Sequence, residues 1–451
     1  MSGQVIVQRP LDPSALKTLQ ERAERVLAEA KSQGASAAEV GVSLSQGLSV
    51  TVRMGEVETL EFHRDRGISL TVYFGQQKGS ASSGDDSDTS IKEMVTAACA
   101  IARHTGEDRC AGLAEKALLA THCPDLDLYH PWDISPQLAI EQALQCENAG
   151  RQDARIVNSE GASVSSGVTM RWYANSHGFS AGFPTSNHSK SCVLVAEQDG
   201  AMQRDYWYES RRSAVDLASS EFIGDKAAQR TLSRLGGQRP STGKFPVLFA
   251  PEVASGIIGH CVGAISGGSL YRNASFLKDK LGEPLFPEWV TLQENPLLVG
   301  GAGSAPFDND GLPTSATSFV KDGKLNSYAL GLYAARRLNM TPTGNGGGVR
   351  NLSISDSGED QAALLKKMDK GVLVTEAMGP GVNIVSGDYS RGAAGFWVEN
   401  GEIQYPIEEF TIASGLGDMY KNILGSGTDI DDRGNVHIGS LLVEQMNVAG
   451  S

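Results

Sequence analysis

Leu16, Leu19, Ala23, Val26, Leu27 and Ala30 recur every three or four positions, and this spacing predicts a helix over residues 13–32. Asp12-Pro13 supplies its start and Gly34 its stop. The period then drops to two. Val40, Val42 and Leu44 alternate with small or polar residues, as do Ile68, Leu70, Val72 and Phe74, and Met54-Gly55 marks a turn in the run between them. Short alternating runs joined by glycine turns predict an antiparallel meander rather than βαβ units. Ile91, Met94, Val95, Ala98 and Ile101 predict a second helix over 89–103.

The periodicity breaks over 104–134, a polar stretch punctuated by Pro124 and Pro131, and a domain boundary is expected there. Ser135-Pro136 reads as an N-cap and first helical residue opening a helix to residue 150. Alternation returns from Ile156 to Tyr208, with turns at Asn175–Gly178 and Asp199-Gly200, and a helix follows over 220–235. RLGGQRPSTGK, residues 234–244, reads as a linker. The last region opens with the strand KFPVLFA and an apolar helix containing GIIGHCVGAISGG, residues 256–268. It continues strand-rich, with Glu399-Asn400-Gly401 as a hairpin turn. The expected fold is a multi-domain α+β chain of antiparallel sheets with packed helices and a strand-rich C-terminal domain. The expected domains are 1–120, 121–238 and 239–451. A helix-then-meander order recurs in the first two.

At 451 residues the chain exceeds one ordinary core. Its 52 glycines sit between apolar runs, which reads as many turns rather than disorder. The net charge of −14, with cationic residues adjacent only in the pairs Arg211-Arg212, Arg336-Arg337 and Lys366-Lys367, disfavours nucleic acid and anionic membrane as partners. No apolar run reaches the roughly 18 residues a membrane helix needs. MSGQVIVQRPLDPSALK lacks a basic segment followed by a long apolar core, and the six cysteines form no CxxC pair. Reduced thiols in the cytoplasm are expected.

His260 and Cys261, inside the apolar helix, pose the main chemical question. A helix presents two ligands on one face at i, i+3 or i, i+4. From His260 those positions hold Gly263 and Ala264, or Gly256 and Ile257, none with a donor atom. Adjacent helical residues point about 100° apart, which argues against His260 as the base for a Cys261 nucleophile. Packing is the favoured reading of the pair; a cysteine peptidase using Cys261 with His260 or His437 stays open. No two of the eight histidines show zinc-motif spacing. Asp85, Asp86 and Asp88 read as a turn and helix N-terminus rather than a calcium loop. TPTGNGGGVRN, residues 341–351, lacks the Lys-Ser/Thr of a P-loop and reads as a tightly turned or mobile loop; around Gly344 and Gly346 it could instead approach a peptide or partner closely. Asp388 and Arg391, in SGDYSRGAAGFWVENG, read equally as a functional surface or an internal ion pair in a turn.

TVRMGEVETLEF, GISLTVYFGQQKGSASS, RWYANSHGFSAGF, GHCVGAISGGSLYR and SGDYSRGAAGFWVENGEIQYP together resemble the TldD/PmbA family, long labelled modulators of DNA gyrase, over nearly the whole chain. The resemblance implies a cytoplasmic metalloprotease of two related subunits that processes or degrades peptides and small proteins. In the family, the TldD subunit holds zinc on an HExxxH helix, with a Cys near the C-terminus as a further ligand. Laid on this sequence, the first His falls on Gly259, the Glu on His260, the second His on Ala264 and the Cys near Ile438, beside His437. Zinc catalysis needs about three protein ligands and a nearby carboxylate. The resemblance therefore implies that this chain binds no cofactor, that zinc sits in a TldD-like catalytic subunit, and that an extended peptide pairs with a strand edge in a channel between them. A homodimer of the lone chain is a further implication. The alternative is a regulatory binding protein acting on DNA gyrase or an RNA-regulatory protein.

Overall fold

A computed structural model describes residues 11–450; most of the N-terminal segment read above for a leader, residues 1–10, lies outside the described residues. The chain divides into two units: residues up to Val195 with Arg204–Arg230 and Pro306–Pro313, and Ala196–Gln203 with Thr231–Ala305 and Thr314 onward.

In the first unit, α1 (Ala15–Ser32) buries Leu19, Ala23, Val26 and Ala30. It ends where Gly34 takes a positive φ of 88°. Strands β1 (Ala37–Arg53), β2 (Glu56–Phe74) and β3 (Gln77–Ser83) form the expected meander, followed by α2 (Asp88–His104). Ser87 caps α2 by accepting a hydrogen bond from the Ser90 amide, and Asp85 accepts from Ser87 and Ser90, so the acidic cluster is a helix start. Next come α3 (Pro136–Gly150), β4 (Ile156–Asn175), β5 (Ser180–Gln198), β6 (Ala201–Arg211) and α4 (Ser220–Ser233). The sheet order is β3-β2-β1-β4-β5-β6, so β1 joins two meanders.

The strands are much longer than the short runs the sequence suggested. The period of two continues in β1 through Ser and Gly positions, keeping Val40, Val42, Leu44, Leu48, Val50 and Val52 on the buried face. Helices α1 and α2 pack on that face. Gly79 permits the approach of α2, since a Cβ there would lie 2.2 Å from the Ala98 carbonyl oxygen.

The second unit contains β7 (Gly243–Phe249), α5 (Pro251–Ile265), α6 (Gly267–Tyr271), β8 (Leu292–Glu294), β9 (Thr317–Lys321), β10 (Lys324–Leu325), α7 (Leu332–Leu338), β11 (Leu352–Ile354) and α8 (Gln361–Met368). It continues with β12 (Gly371–Met378), β13 (Val382–Asn383), β14 (Asp388–Glu399), β15 (Glu402–Gly415), α9 (Leu416–Lys421), β16 (Ile423–Ser426), β17 (Val436–His437) and β18 (Leu441–Ala449). The expected apolar helix is thus interrupted at Ser266, whose backbone is extended.

The strand pairings close on themselves. Strand β12 pairs with β7, β7 with β18, β18 with β15, β15 with β14, and β14 returns to β12, forming a five-stranded barrel. The small sheet β10-β9-β8-β11-β17 is separate. Most pairs are antiparallel; β7–β12 and β11–β17 are parallel. Closure bends the strands, and bulges interrupt both ladders of β14 near Gly395. A Cβ at Gly395 would lie 1.9 Å from the Leu373 carbonyl oxygen. No helix of the described residues is long and apolar enough to cross a membrane.

Replacing Gly395 by Ala therefore forces backbone against backbone where the barrel closes. We expect a loss of about 3 kcal/mol or more in denaturant unfolding. A variant within about 0.5 kcal/mol of the parent would contradict this account of closure.

Candidate functional site

Helix α5 begins at Pro251, placed where the missing amide costs nothing. It is held from one side. Ala254, Ile257, Ile258, Cys261, Ala264 and Ile265 are buried in a core shared with Phe249, Val374, Ala393, Phe410, Ile412 and Ile438. The buried Tyr420 hydroxyl donates to the Ile257 carbonyl at 3.1 Å, pinning the helix from within. The opposite side carries Gly256 and Gly259, where an added Cβ would meet nothing within 4 Å. These glycines leave the helix bare for no steric reason of their own.

The four positions that the family resemblance sets against a metal site have different surroundings. Gly259 faces open space, while Ala264 and Ile438 are 0% and 1% exposed in the same core cluster. His260 is half-buried. Its ring meets that of Tyr389 edge-on, with centroids 6.0 Å apart. Burial, helped by the Arg391 charge, lowers the imidazole pKa and favours the neutral ring. His260 Nε2 and the Tyr389 hydroxyl are both enclosed without a hydrogen-bond partner. Burial raises the Tyr389 pKa to about 12 against the opposing pull of Arg391. Tyr389 is the neighbour that sequence reasoning missed; it lies 129 residues from His260, and no local signal links them.

Cys261 is fully buried, and burial alone pushes its thiol up to about 12. A thiol held protonated at neutral pH is not a nucleophile. At 0% exposure the thiol is also out of reach of a substrate, which argues against the cysteine-peptidase reading.

Asp388 and Arg391 lie at the start of β14, not in a turn, and they do not pair with each other. Arg391 donates to the carbonyls of Ala377 at 2.9 Å and Met378 at 3.4 Å. Asp388 is exposed and accepts from Ser386 Oγ at 2.5 Å. Asp388 also lines a polar cleft of about 720 Å³ with Lys244, Ser390, Asp418, Asn422 and Glu444.

The glycine-rich loop 341–351 is tightly turned around a charge that the sequence did not advertise. Glu294, 1% exposed, accepts from Asn345 Nδ2 at 2.8 and 3.1 Å and from the Arg350 amide at 2.6 Å. Burial raises its pKa while these bonds pull it down. The Arg350 side chain donates to the carbonyls of Gly344, Gly346 and Gly348. Gly344 and Gly346 are buried, and Gly344 needs its positive φ of 75°. His437, on β17, donates from Nε2 to the Gly434 carbonyl at 3.2 Å and lies opposite Ser353 of β11.

Zinc does not fit the donor set of α5. Gly259, Ala264 and Ile438 offer no ligating atom, which leaves His260 alone where about three ligands are needed. Among the described residues, no group of three or more His, Cys, Asp or Glu side chains could hold a metal ion.

These features define an α+β protein whose C-terminal barrel buries one side of a helix that carries His260 at the margin of its open side. Family models match in chain order: PmbA/TldA metallopeptidase domain 1 over residues 38–102, the central domain over 129–235 and the C-terminal domain over 242–450. The chain is 48% identical to metalloprotease PmbA of Escherichia coli O157:H7, covering 99% of this chain and 98% of that one. It is 22% identical to a metalloprotease TldD homolog of Haemophilus influenzae, covering 85% and 84%. The crystal structure of a candidate modulator of DNA gyrase from Bacteroides thetaiotaomicron superposes with a TM-score of 0.91 at 28% identity, covering 96% and 99%. The chain belongs to the PmbA/TldD metallopeptidase family.

Two outcomes are expected from the His260 environment. Replacing Tyr389 by Phe removes an unpartnered buried hydroxyl and should leave stability unchanged or raise it by up to about 1 kcal/mol; a loss above about 2 kcal/mol would mean the hydroxyl is bonded. The unfolded imidazole takes its proton near pH 6.5, the folded one only at lower pH. The unfolded state therefore binds more protons below that point, and stability falls as pH drops through it. The decline in denaturant midpoint between pH 7.5 and 5.5 should be smaller in His260→Gln than in the parent. Equal declines would contradict the neutral assignment.

Proposed function

We propose that this chain is the non-zinc subunit of a heteromeric cytoplasmic peptidase. It completes the channel through which an extended peptide reaches the zinc of a TldD-like sister chain. One observation carries the reading: on a metallopeptidase scaffold, the helix that would hold the metal presents glycine at 259 and a core alanine at 264. The relationship to a TldD homolog supports a sister chain of similar build. The hydrolytic water is activated on the sister's metal, and this chain contributes walls and contacts. We assign Asp388, Arg391 and His437 to the surface that meets the peptide or the sister chain; Gly344 and Gly346, buried with their carbonyls bonded to Arg350, are not part of it. Exposed Asp388 and its polar cleft suit backbone amides of an extended segment.

A second reading is a regulatory protein that binds DNA gyrase or an RNA-regulatory protein. It draws on the description of the Bacteroides relative as a candidate gyrase modulator. The net charge of −14 directs such binding toward protein rather than DNA.

Mixing the purified chain with a purified TldD-like chain tests both. The subunit reading expects no peptide cleavage from this chain alone and chelator-sensitive cleavage from the mixture. Chelator-sensitive cleavage by the lone chain contradicts it. Co-purification with gyrase and not with a TldD-like chain would select the second reading.

A further inference from the structure

The face of the first-unit sheet turned away from α1 and α2 carries a cleft of about 740 Å³. Side chains alternate along β1, so Glu39, Gly41 and Ser43 point to this face and Val40, Val42 and Leu44 to the other. Gly41 lies opposite Ser69 of β2, and Ser43 opposite Gly67. The floor here is glycine and serine only, which leaves the space above it unfilled. Residues 306–313 form a wall. Phe307 anchors them, its ring edge-on to those of Phe179 and Phe183 with centroids 5.0 and 5.5 Å away. Asp308 Oδ1 then accepts from the amides of Asp310 and Leu312, each at 2.9 Å, and the turn sets Asp310 in the lining.

The chemistry of the lining says what the cleft would take. Glu39 accepts from the Tyr73 hydroxyl on Oε1 and from the Tyr173 hydroxyl on Oε2, both at 2.7 Å. Both donors are neutral, so they fix the carboxylate in place without cancelling its charge. Burial raises the Glu39 pKa against these two bonds; the Asp310 charge raises it further, and Lys78 pulls it down. A cation at this end would offset both the burial and the repulsion. A metal ion does not fit, because no group of three or more His, Cys, Asp or Glu side chains among the described residues could hold one. An ammonium fits, since its three N–H donors suit a carboxylate and hydroxyls. From Glu39 to Ser43 the floor runs about 13 Å at about 3.3 Å per residue, so the charged head has room for a chain behind it. Phe183 and Phe307 give that chain an apolar wall. Arg171 stands opposite Ser43, with its guanidinium 5.4 Å from the Phe183 ring centre, and disfavours a second cation at the far end. We propose that this cleft binds a primary alkylammonium, its head between Glu39 and Asp310 and its chain over Gly41 and Gly67. A lysine side chain and a free alkylamine share this chemistry. The inference is independent of the subunit reading above.

The test is isothermal titration calorimetry of the full chain with N-acetyl-lysine amide, with its uncharged norleucine counterpart and with n-pentylamine. At least one of the two ammonium compounds should bind saturably with a Kd below about 1 mM. Binding of the lysine compound assigns the cleft to a peptide side chain; binding of pentylamine alone assigns it to a free amine. The norleucine compound should bind about tenfold more weakly than either ligand found, or not at all. Glu39→Gln removes the charge and keeps acceptors for the tyrosines. Ser69→Val fills the open floor and leaves Glu39 and both tyrosines in place. Each should weaken binding by about tenfold or more, with circular dichroism confirming that the variant is folded. Failure of both ammonium compounds to bind by about 1 mM overturns the proposal. So does norleucine binding as tight as that of the ammonium compounds, or binding indifferent to Glu39→Gln or to Ser69→Val.

Discussion

The burial of one face of α5 in the C-terminal barrel is the constraint on which the rest of the second unit depends. Ile257, Ile258, Cys261, Ala264 and Ile265 are all 0–1% exposed, and full burial of each isoleucine is worth roughly 1.5–3 kcal/mol. That orientation commits position 264 to the core and position 259 to the open side. It also seals Cys261 away from any substrate and leaves His260 at the margin, edge-on to Tyr389. On this metallopeptidase-family scaffold the helix is packed into the core at Ala264 and bare at Gly259.

Barrel closure supplies the surface that α5 packs against. Strand β14 is bonded along both edges, which ties β12 to β15, and its Tyr389 ring meets His260 of α5. Gly395 permits the close approach of β12. A second set of polar contacts, Glu294 with Asn345 and Arg350, folds the glycine-rich loop onto itself, so its glycines serve turns and carbonyl contacts within the unit.

Much of the local structure was legible. Amphipathic periodicity located α1 and α2, and Ser135-Pro136 located α3 because a hydroxyl cap and an amide-free first residue suit a helix start. The turns at Met54-Gly55, Asp199-Gly200 and Asn400-Gly401 appear with positive φ at both residues, as tight hairpins require. Strand length was not legible, since Ser and Gly hide the alternation that burial reveals. Nor was the barrel, because a period of two says which face is buried and not which strand lies alongside. The grouping of residues 306–313 with the first unit has no local signal either. At the site, a match of Gly259 and Ala264 to metal-ligand positions came only from the family resemblance and from no pattern in the residues themselves. The roles of Tyr389 and Glu294 could not be read at all, because each depends on contacts across 50 or more residues.

The central claim is that α5 of this chain cannot hold a catalytic metal. Its most direct test is metal analysis by plasma mass spectrometry of the purified chain, prepared with and without a co-expressed TldD-like chain. The account predicts no stoichiometric transition metal in the chain alone, and zinc that follows the sister chain when the two are separated. One equivalent of metal on the lone chain, lost on replacing His260, would contradict it.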